Sequence, residues 1–198
     1  MLDDVSRETH LLLEDYVASL LKWTQKINLI AKASERDIWQ RHVADSVQLY
    51  KLGGRGKTWV DLGSGGGLPG LVIAIMAKEH DPDRVVTMVE SDQRKCVFLR
   101  EMISRHKLNA QVVNARIEAV PPLGADVLSA RALTALPALL GFTQLHRSKT
   151  GIALFPKGVR HMEEIADARK TWQFDHVVHP SRTDSEGVIV EVGKLFHV

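Results

Sequence analysis

Apolar residues recur at helical spacing through the first stretch of the chain, as Leu11, Leu12, Leu13, Tyr16, Val17, Leu20, Leu21 and Trp23, with Glu8, Glu14, Asp15 and Lys22 between them. That pattern predicts an amphipathic helix over residues 4–24. A break at residues 26–30 is followed by Ser34-x-x-Asp37, a capping-box-like start, and a second helix is predicted from there to about Tyr50. Gly53-Gly54-Arg55-Gly56 then reads as a linker. Beyond it the pattern changes. Apolar runs predict strands over residues 58–62, 84–90, 110–113, 126–130 and 151–155. Helices are predicted between them over 71–77, 92–106, 132–146 and 159–171, with Pro137 in a first turn or at a kink. Two closing strands, 174–179 and 187–192, flank the polar loop 181–186 and read as an antiparallel end. Strands alternating with helices predict a parallel sheet covered on both faces. The expected fold class is therefore α/β: a Rossmann-like sheet of seven strands. Residues 1–52 form an N-terminal helical extension and residues 53–198 the sheet domain, together one structural unit.

Composition changes this picture little. The chain has 198 residues, 44% hydrophobic and 25% charged, which is ordinary for a soluble globular domain. A net charge of +2 permits an anionic partner without demanding one. The single cysteine, Cys96, excludes an internal disulfide and a multi-cysteine zinc cluster, so no metal site is expected. Its helical neighbours make it a buried thiol rather than a nucleophile. The opening acids Asp3, Asp4 and Glu8 are unlike a signal peptide, and no apolar run reaches membrane-spanning length. A cytoplasmic, monomeric protein with no membrane partner is expected.

The chemistry concentrates in Asp61-Leu62-Gly63-Ser64-Gly65-Gly66-Gly67-Leu68-Pro69-Gly70, which carries the first strand into the next helix. Glycines there reach positive φ without strain and let a ligand approach the backbone. The helix that follows aims its free N–H groups at the loop. Two ligands fit the spacing. Gly65-x-Gly67-x-x-Gly70 matches a dinucleotide fingerprint. Asp61-x-Gly63-x-Gly65-x-Gly67 is the pattern of S-adenosylmethionine (AdoMet) methyltransferases. A carboxylate at Asp61 repels a pyrophosphate and suits a cationic methionine end, which favours AdoMet. A tight packing turn without a ligand stays open as a third reading.

Ligands of open α/β sheets lie beyond the carboxyl ends of the strands. Glu90 ends the second strand about twenty residues past the loop, where a carboxylate accepts ribose hydroxyls, although it also suits a helix start. After the third strand, Ile117 would lie against an adenine face with Glu118 beside it; Glu118 could equally be a solvated acid. Arg131 follows the fourth strand at the mouth of the site, with an ion pair to Asp61 or Glu118 as its other reading. That slot holds Ser129-Ala130-Arg131-Ala132. It lacks the Asn/Asp-Pro-Pro-aromatic run that positions an exocyclic amine, and Cys96 is misplaced for cytosine-C5 chemistry. An acceptor already nucleophilic when neutral remains, such as guanine N7, which needs positioning rather than a general base.

With these residues in view the chain resembles the RsmG (GidB) family of bacterial methyltransferases. The resemblance rests on Asn28-Leu29, Arg41-His42-x-x-Asp45-Ser46, the loop Asp61–Gly70, Glu90-Ser91-Asp92-x-x-Lys95, Arg116-x-Glu118, Ser129-x-Arg131-Ala132 and Lys157-Gly158. Ile30 departs from the threonine often found after Asn-Leu. The resemblance implies AdoMet-dependent methylation of N7 of a guanine in the 530 loop of 16S ribosomal RNA, the substrate presented within the small subunit. It makes Gly63, Leu68, Ile117, Glu118 and Arg131 AdoMet contacts, beside Asp61, Gly65, Gly67 and Glu90 from the strand-end argument. It also turns Arg41, His42, Asp45 and Ser46, otherwise a solvated helix face, into a substrate-side wall. Arg41, His42, Arg131 and Lys157 are then the candidate catalytic set, holding RNA backbone or target base. An NAD-dependent oxidoreductase and a non-catalytic RNA-binding protein are the alternatives. Aromatics at 6% leave few stacking surfaces for the latter.

Overall fold

The computed structural model describes residues 5–32 and 35–198. Along the chain lie α1 (Arg7–Ile27), a π-helical turn (Ile38–Val43) leading into α2 (Ala44–Leu52), β1 (Thr58–Leu62), α3 (Gly70–His80), β2 (Val85–Glu90), α4 (Gln93–His106) and β3 (Ala110–Asn114). A short 3-10 turn (Ile117–Ala119) precedes β4 (Ala125–Ala130), α5 (Leu136–His146), β5 (Arg147–Lys157), α6 (His161–Ala168), β6 (Trp172–Pro180) and β7 (Val188–His197). The strands form one sheet of seven in the order β3-β2-β1-β4-β5-β7-β6. The β1–β2, β2–β3, β1–β4 and β4–β5 pairs are parallel, and β7 runs antiparallel to both β5 and β6. The chain reverses its direction of travel across the sheet between β1 and β4. That switch point leaves a crevice beyond the carboxyl ends of the two strands.

Several boundaries differ from the periodicity, each for a local reason. Ser6 caps α1, its hydroxyl accepting from the Thr9 N–H at 3.1 Å, and Asn28 ends that helix in the left-handed region at φ +49°. Ser34 of the expected capping box and Asp4 at the expected helix start lie outside the described residues. Asp37 makes no capping bond, and a wide π-helical turn opens the second helix instead. The helix expected from Ala132 starts only at Leu136. Ala132 holds φ +50°, and Pro137 then occupies the first turn, where its missing N–H costs nothing. The four residues so freed form a loop over the crevice.

Side chains alternate across β1 and β4 and feed two cores. Trp59 and Val127 point into a cluster with α1, α3 and α4, while Val60, Leu62 and Leu128 point into one with α5 and α6. Helix α3 is buried on every side, from Leu71 to Ala77, because α1 and α2 cover the face turned away from the sheet. Leu13, Tyr16 and Leu20 of α1 have no exposed surface. Each such side chain contributes roughly 1.5–3 kcal/mol, and together they rival a typical net folding free energy of about 5–15 kcal/mol. The extension is therefore fastened, not appended. The Tyr16 hydroxyl also donates to the Gly66 carbonyl at 2.8 Å, tying α1 to the glycine loop.

Tyr16→Phe removes that buried donor and leaves the Gly66 oxygen unpaired, an expected loss of about 1–3 kcal/mol in a urea titration. An unchanged midpoint would mean that water reaches the carbonyl and the tie is weak.

Candidate active site

The glycine loop leaves β1 with Gly63 at φ +67° and Gly65 at φ +53°, both in the left-handed region. A Cβ on Gly63 would come within 2.7 Å of Leu133 Cδ1, so the loop after β1 and the loop after β4 touch there. Beneath them lies Asp61, fully buried. Its carboxylate accepts from the Gly70 N–H at the start of α3 at 3.2 Å and from the Ser129 hydroxyl of β4 at 2.8 Å. Asp61 and Ser129 are cross-strand partners, and Trp59 Nε1 donates to the same Ser129 oxygen at 2.9 Å. Burial pushes the Asp61 carboxyl up to about 6 despite these donors.

Three hollows meet around Ala132. The first, of 610 Å³, runs along the ends of β1, β2 and β3 and is walled by Gly63, Gly65, Glu90, Ile117, Glu118 and Phe142. Glu90 accepts from the N–H groups of Gly65 at 2.9 Å and Asp92 at 2.8 Å, so its carboxylate joins the two loops at the cleft floor. The Ile117 carbonyl is held by buried His146 Nε2 at 3.1 Å. The second hollow, of 250 Å³, lies between the glycine loop and the extension, with Leu29, Ile30, His42, Leu68 and Arg131 around it. The third, of 710 Å³, is the largest of the three and carries Arg41, Arg131, Lys157 and Arg160 among the carboxylates of Asp45, Glu163, Glu164, Asp167 and Asp184.

The expected residues are thus divided. Gly63, Gly65, Glu90, Ile117 and Glu118 wall the first cleft, and Leu68 lies in the small hollow. Asp61 lines none of the three; its carboxylate lies beneath the loop, bonded to the Gly70 N–H and the Ser129 hydroxyl. Gly67 also stays out of the walls, at φ +89° with a Cβ position that Leu71 would block. Ser46 is buried, its hydroxyl donating to the His42 carbonyl at 2.7 Å. Arg131 pairs neither with Asp61 nor with Glu118. Its Nη2 donates to the Arg41 carbonyl at 3.0 Å and sits 3.7 Å from Asp45, while its buried Nη1 has no partner among the described residues.

Arg41 and His42 separate. Arg41 reaches the open cleft, paired with Asp184 at 3.2 Å, whereas His42 lines the small hollow, both ring nitrogens buried and without a partner among the described residues. Burial, then the nearby Arg131 and Arg41 cations, lower the His42 ring to about 4, so it is neutral at pH 7. Lys157 is held by Glu164 at 2.7 Å and the Thr134 carbonyl at 3.2 Å. Phe142, Leu133 and the Tyr16 anchor gave no sequence signal beyond ordinary core periodicity. Asp45 accepts from Thr183 and Ser181, which docks the β6–β7 loop on the extension.

A family model described as rRNA small subunit methyltransferase G (GidB) matches residues 9–188. The chain belongs to that family. It is 49% identical over 196 residues to the ribosomal RNA small subunit methyltransferase G of Cereibacter sphaeroides, covering 98% of this chain and 95% of that one. It is 46% identical over 189 residues to the protein of the same name from Ruegeria pomeroyi, covering 96% and 93%. Among solved structures, a TehB-like SAM-dependent methyltransferase from Corynebacterium glutamicum aligns with TM-score 0.61 at 13% identity, covering 89% of this chain and 98% of that one. A methyltransferase from Geobacter sulfurreducens aligns with TM-score 0.61 at 14% identity, covering 91% and 88%. The fold is thus that of class I SAM-dependent methyltransferases. A methyltransferase family takes the place of the dinucleotide oxidoreductase reading. No helix among the described residues is long and apolar enough to cross a membrane.

Because the Asp61 carboxyl lies above its ordinary value, the folded state holds that proton more tightly than the unfolded chain does. Its contribution to stability is therefore greatest below about pH 4, falls as pH rises toward 6, and is flat above. Asp61→Asn is expected to remove about 1–3 kcal/mol of that fall in denaturation curves taken from pH 4 to 7. Equal slopes in the two proteins would show that the carboxylate is not the titrating group.

Proposed function

We propose that the chain transfers the methyl group of AdoMet to N7 of a guanine in the 530 loop of 16S ribosomal RNA. The protein works as a monomer in the cytoplasm, on RNA already carried in the small subunit. The observation that carries this reading is the meeting of the three hollows at Ala132, where the trough walled by Gly63, Gly65 and Glu90 adjoins a wider cleft that bears Arg41, Arg131, Lys157 and Arg160 among carboxylates. The residues fit the cofactor: glycine backbones leave room against the floor, Glu90 stands where ribose hydroxyls need an acceptor, and Arg131 keeps a buried donor that no described residue pairs. Ile117 offers an apolar face for adenine, with Glu118 beside it. Bound there, AdoMet supplies a methyl group activated on a sulfonium.

The chain itself has little covalent work. Guanine N7 carries its lone pair in the ring plane and has no proton to lose, so no general base is required. Lys157, bridged to Glu164 and the Thr134 carbonyl, braces the loop over the crevice. Arg131 spans the small hollow and the open cleft, and so borders both reactants. Its guanidinium orients them for in-line approach, where geometry and fixed charge lower the barrier. Arg41 and Arg160 at the open cleft meet RNA phosphates, which makes binding salt-sensitive.

Incubating unmethylated small subunits with labelled AdoMet should place label at one guanine of the 530 loop, cleaved by borohydride and aniline as N7-methylguanine is. Label at another atom, or none, would overturn the reading. Arg131→Ala should lower transfer about a hundredfold or more while leaving the unfolding curve in place. Arg41→Ala should weaken RNA binding and reduce the slope of log affinity against log salt by about 0.7–0.9. An unchanged slope would remove Arg41 from the phosphate contacts.

A further inference from the structure

His42 and Arg131 line the small hollow between the glycine loop and the extension, and they carry three buried nitrogens with no partner among the described residues: Nδ1 and Nε2 of His42 and Nη1 of Arg131. Leaving such groups unpaired costs free energy, so a site that keeps three of them together is built for a polar ligand. At 250 Å³ it has room for a group of a few heavy atoms. It shares Gly63, Gly65 and Ala132 with the 610 Å³ cleft. A ligand with adenosine in that cleft therefore reaches the hollow without crossing the open substrate side.

The donor inventory selects the ligand. A guanidinium only donates, so the free Arg131 nitrogen requires an acceptor, best an anion. A neutral imidazole presents one donor and one acceptor, and His42 is neutral at pH 7. An acceptor-seeking cation beside a ring with a free lone pair matches an α-amino acid, whose carboxylate accepts and whose ammonium donates. Asp61, the carboxylate that would otherwise meet that ammonium, is turned away toward Gly70 and Ser129.

Resting on the proposed function, we propose that His42 binds the amino-acid end of the cofactor, its free ring nitrogen accepting from the α-ammonium, and does not hold RNA. Arg41, its neighbour in sequence, serves the open cleft instead. The arrangement makes the N-terminal extension part of the cofactor site, since His42 lies in the π-helical turn and Leu29 and Ile30 line the same hollow.

Two probes separate the ends of the ligand: S-adenosylhomocysteine, which has the amino acid, and 5′-methylthioadenosine, which lacks it. In calorimetry, His42→Ala should weaken S-adenosylhomocysteine about tenfold to hundredfold and leave methylthioadenosine unchanged, the retained binding also showing that the variant folds. His42→Gln, which keeps a donor and an acceptor, should recover part of the loss. Equal weakening of both probes, or of neither, would overturn the assignment. So would unchanged S-adenosylhomocysteine affinity with methyl transfer to RNA lost. Wild-type protein that binds neither probe would overturn the proposed function itself.

Discussion

A single buried carboxylate sets the geometry at the top of the sheet. Asp61 draws together the start of α3 through the Gly70 N–H and the end of β4 through the Ser129 hydroxyl. Both loops that matter, Gly63–Gly67 and Arg131–Ala135, spring from elements it connects. Burying a carboxylate is costly unless it is hydrogen-bonded, and the raised Asp61 value records a cost only partly offset. The arrangement persists because removing the acceptor would leave a helix-start N–H and a buried hydroxyl without it. The surface above is thus fixed from below, by a carboxylate bonded to both of its supporting elements.

The extension supplies the other half of the site. Core side chains of α1 hold it against α3 and α4, and Tyr16 fixes the Gly66 carbonyl. That anchorage brings the π-helical turn over the glycine loop, where His42 closes the small hollow and Arg41 faces the open cleft. Gln48 extends the connection by bonding the Pro180 carbonyl at 2.8 Å and the Arg182 N–H at 3.0 Å, which seats the β6–β7 loop. Extension, glycine loop and closing hairpin form a continuous rim.

Much of this was legible in the chain. The strand–glycine–helix unit, the alternation of strands and helices, and an antiparallel end all follow from local pattern. So do the positions just past each strand, because strand ends converge on one crevice. What pattern could not supply was direction. Spacing places Asp61 at the end of β1, but only the sheet's packing decides which face an alternating side chain takes. Arg41 and His42 are neighbours in sequence, yet successive residues on a helical turn point in different directions, and here the difference sends them to separate hollows. The residues at 132–135 favour a helix by local pattern, but the left-handed Ala132 and the contact between Leu133 and Gly63 override that preference. Arg131 found its partner in Asp45, far away in sequence and visible only once the extension is folded over the sheet.

The central claim is that one trough, bent at Gly63 and Ala132, takes the cofactor end to end and leaves the wide cleft for RNA. A crystal structure with S-adenosylhomocysteine tests it most directly. The expected density runs from the Ile117–Glu118 wall past Glu90 and ends at Arg131 and His42. Density with the amino-acid end turned instead toward Lys157 in the open cleft would contradict the account.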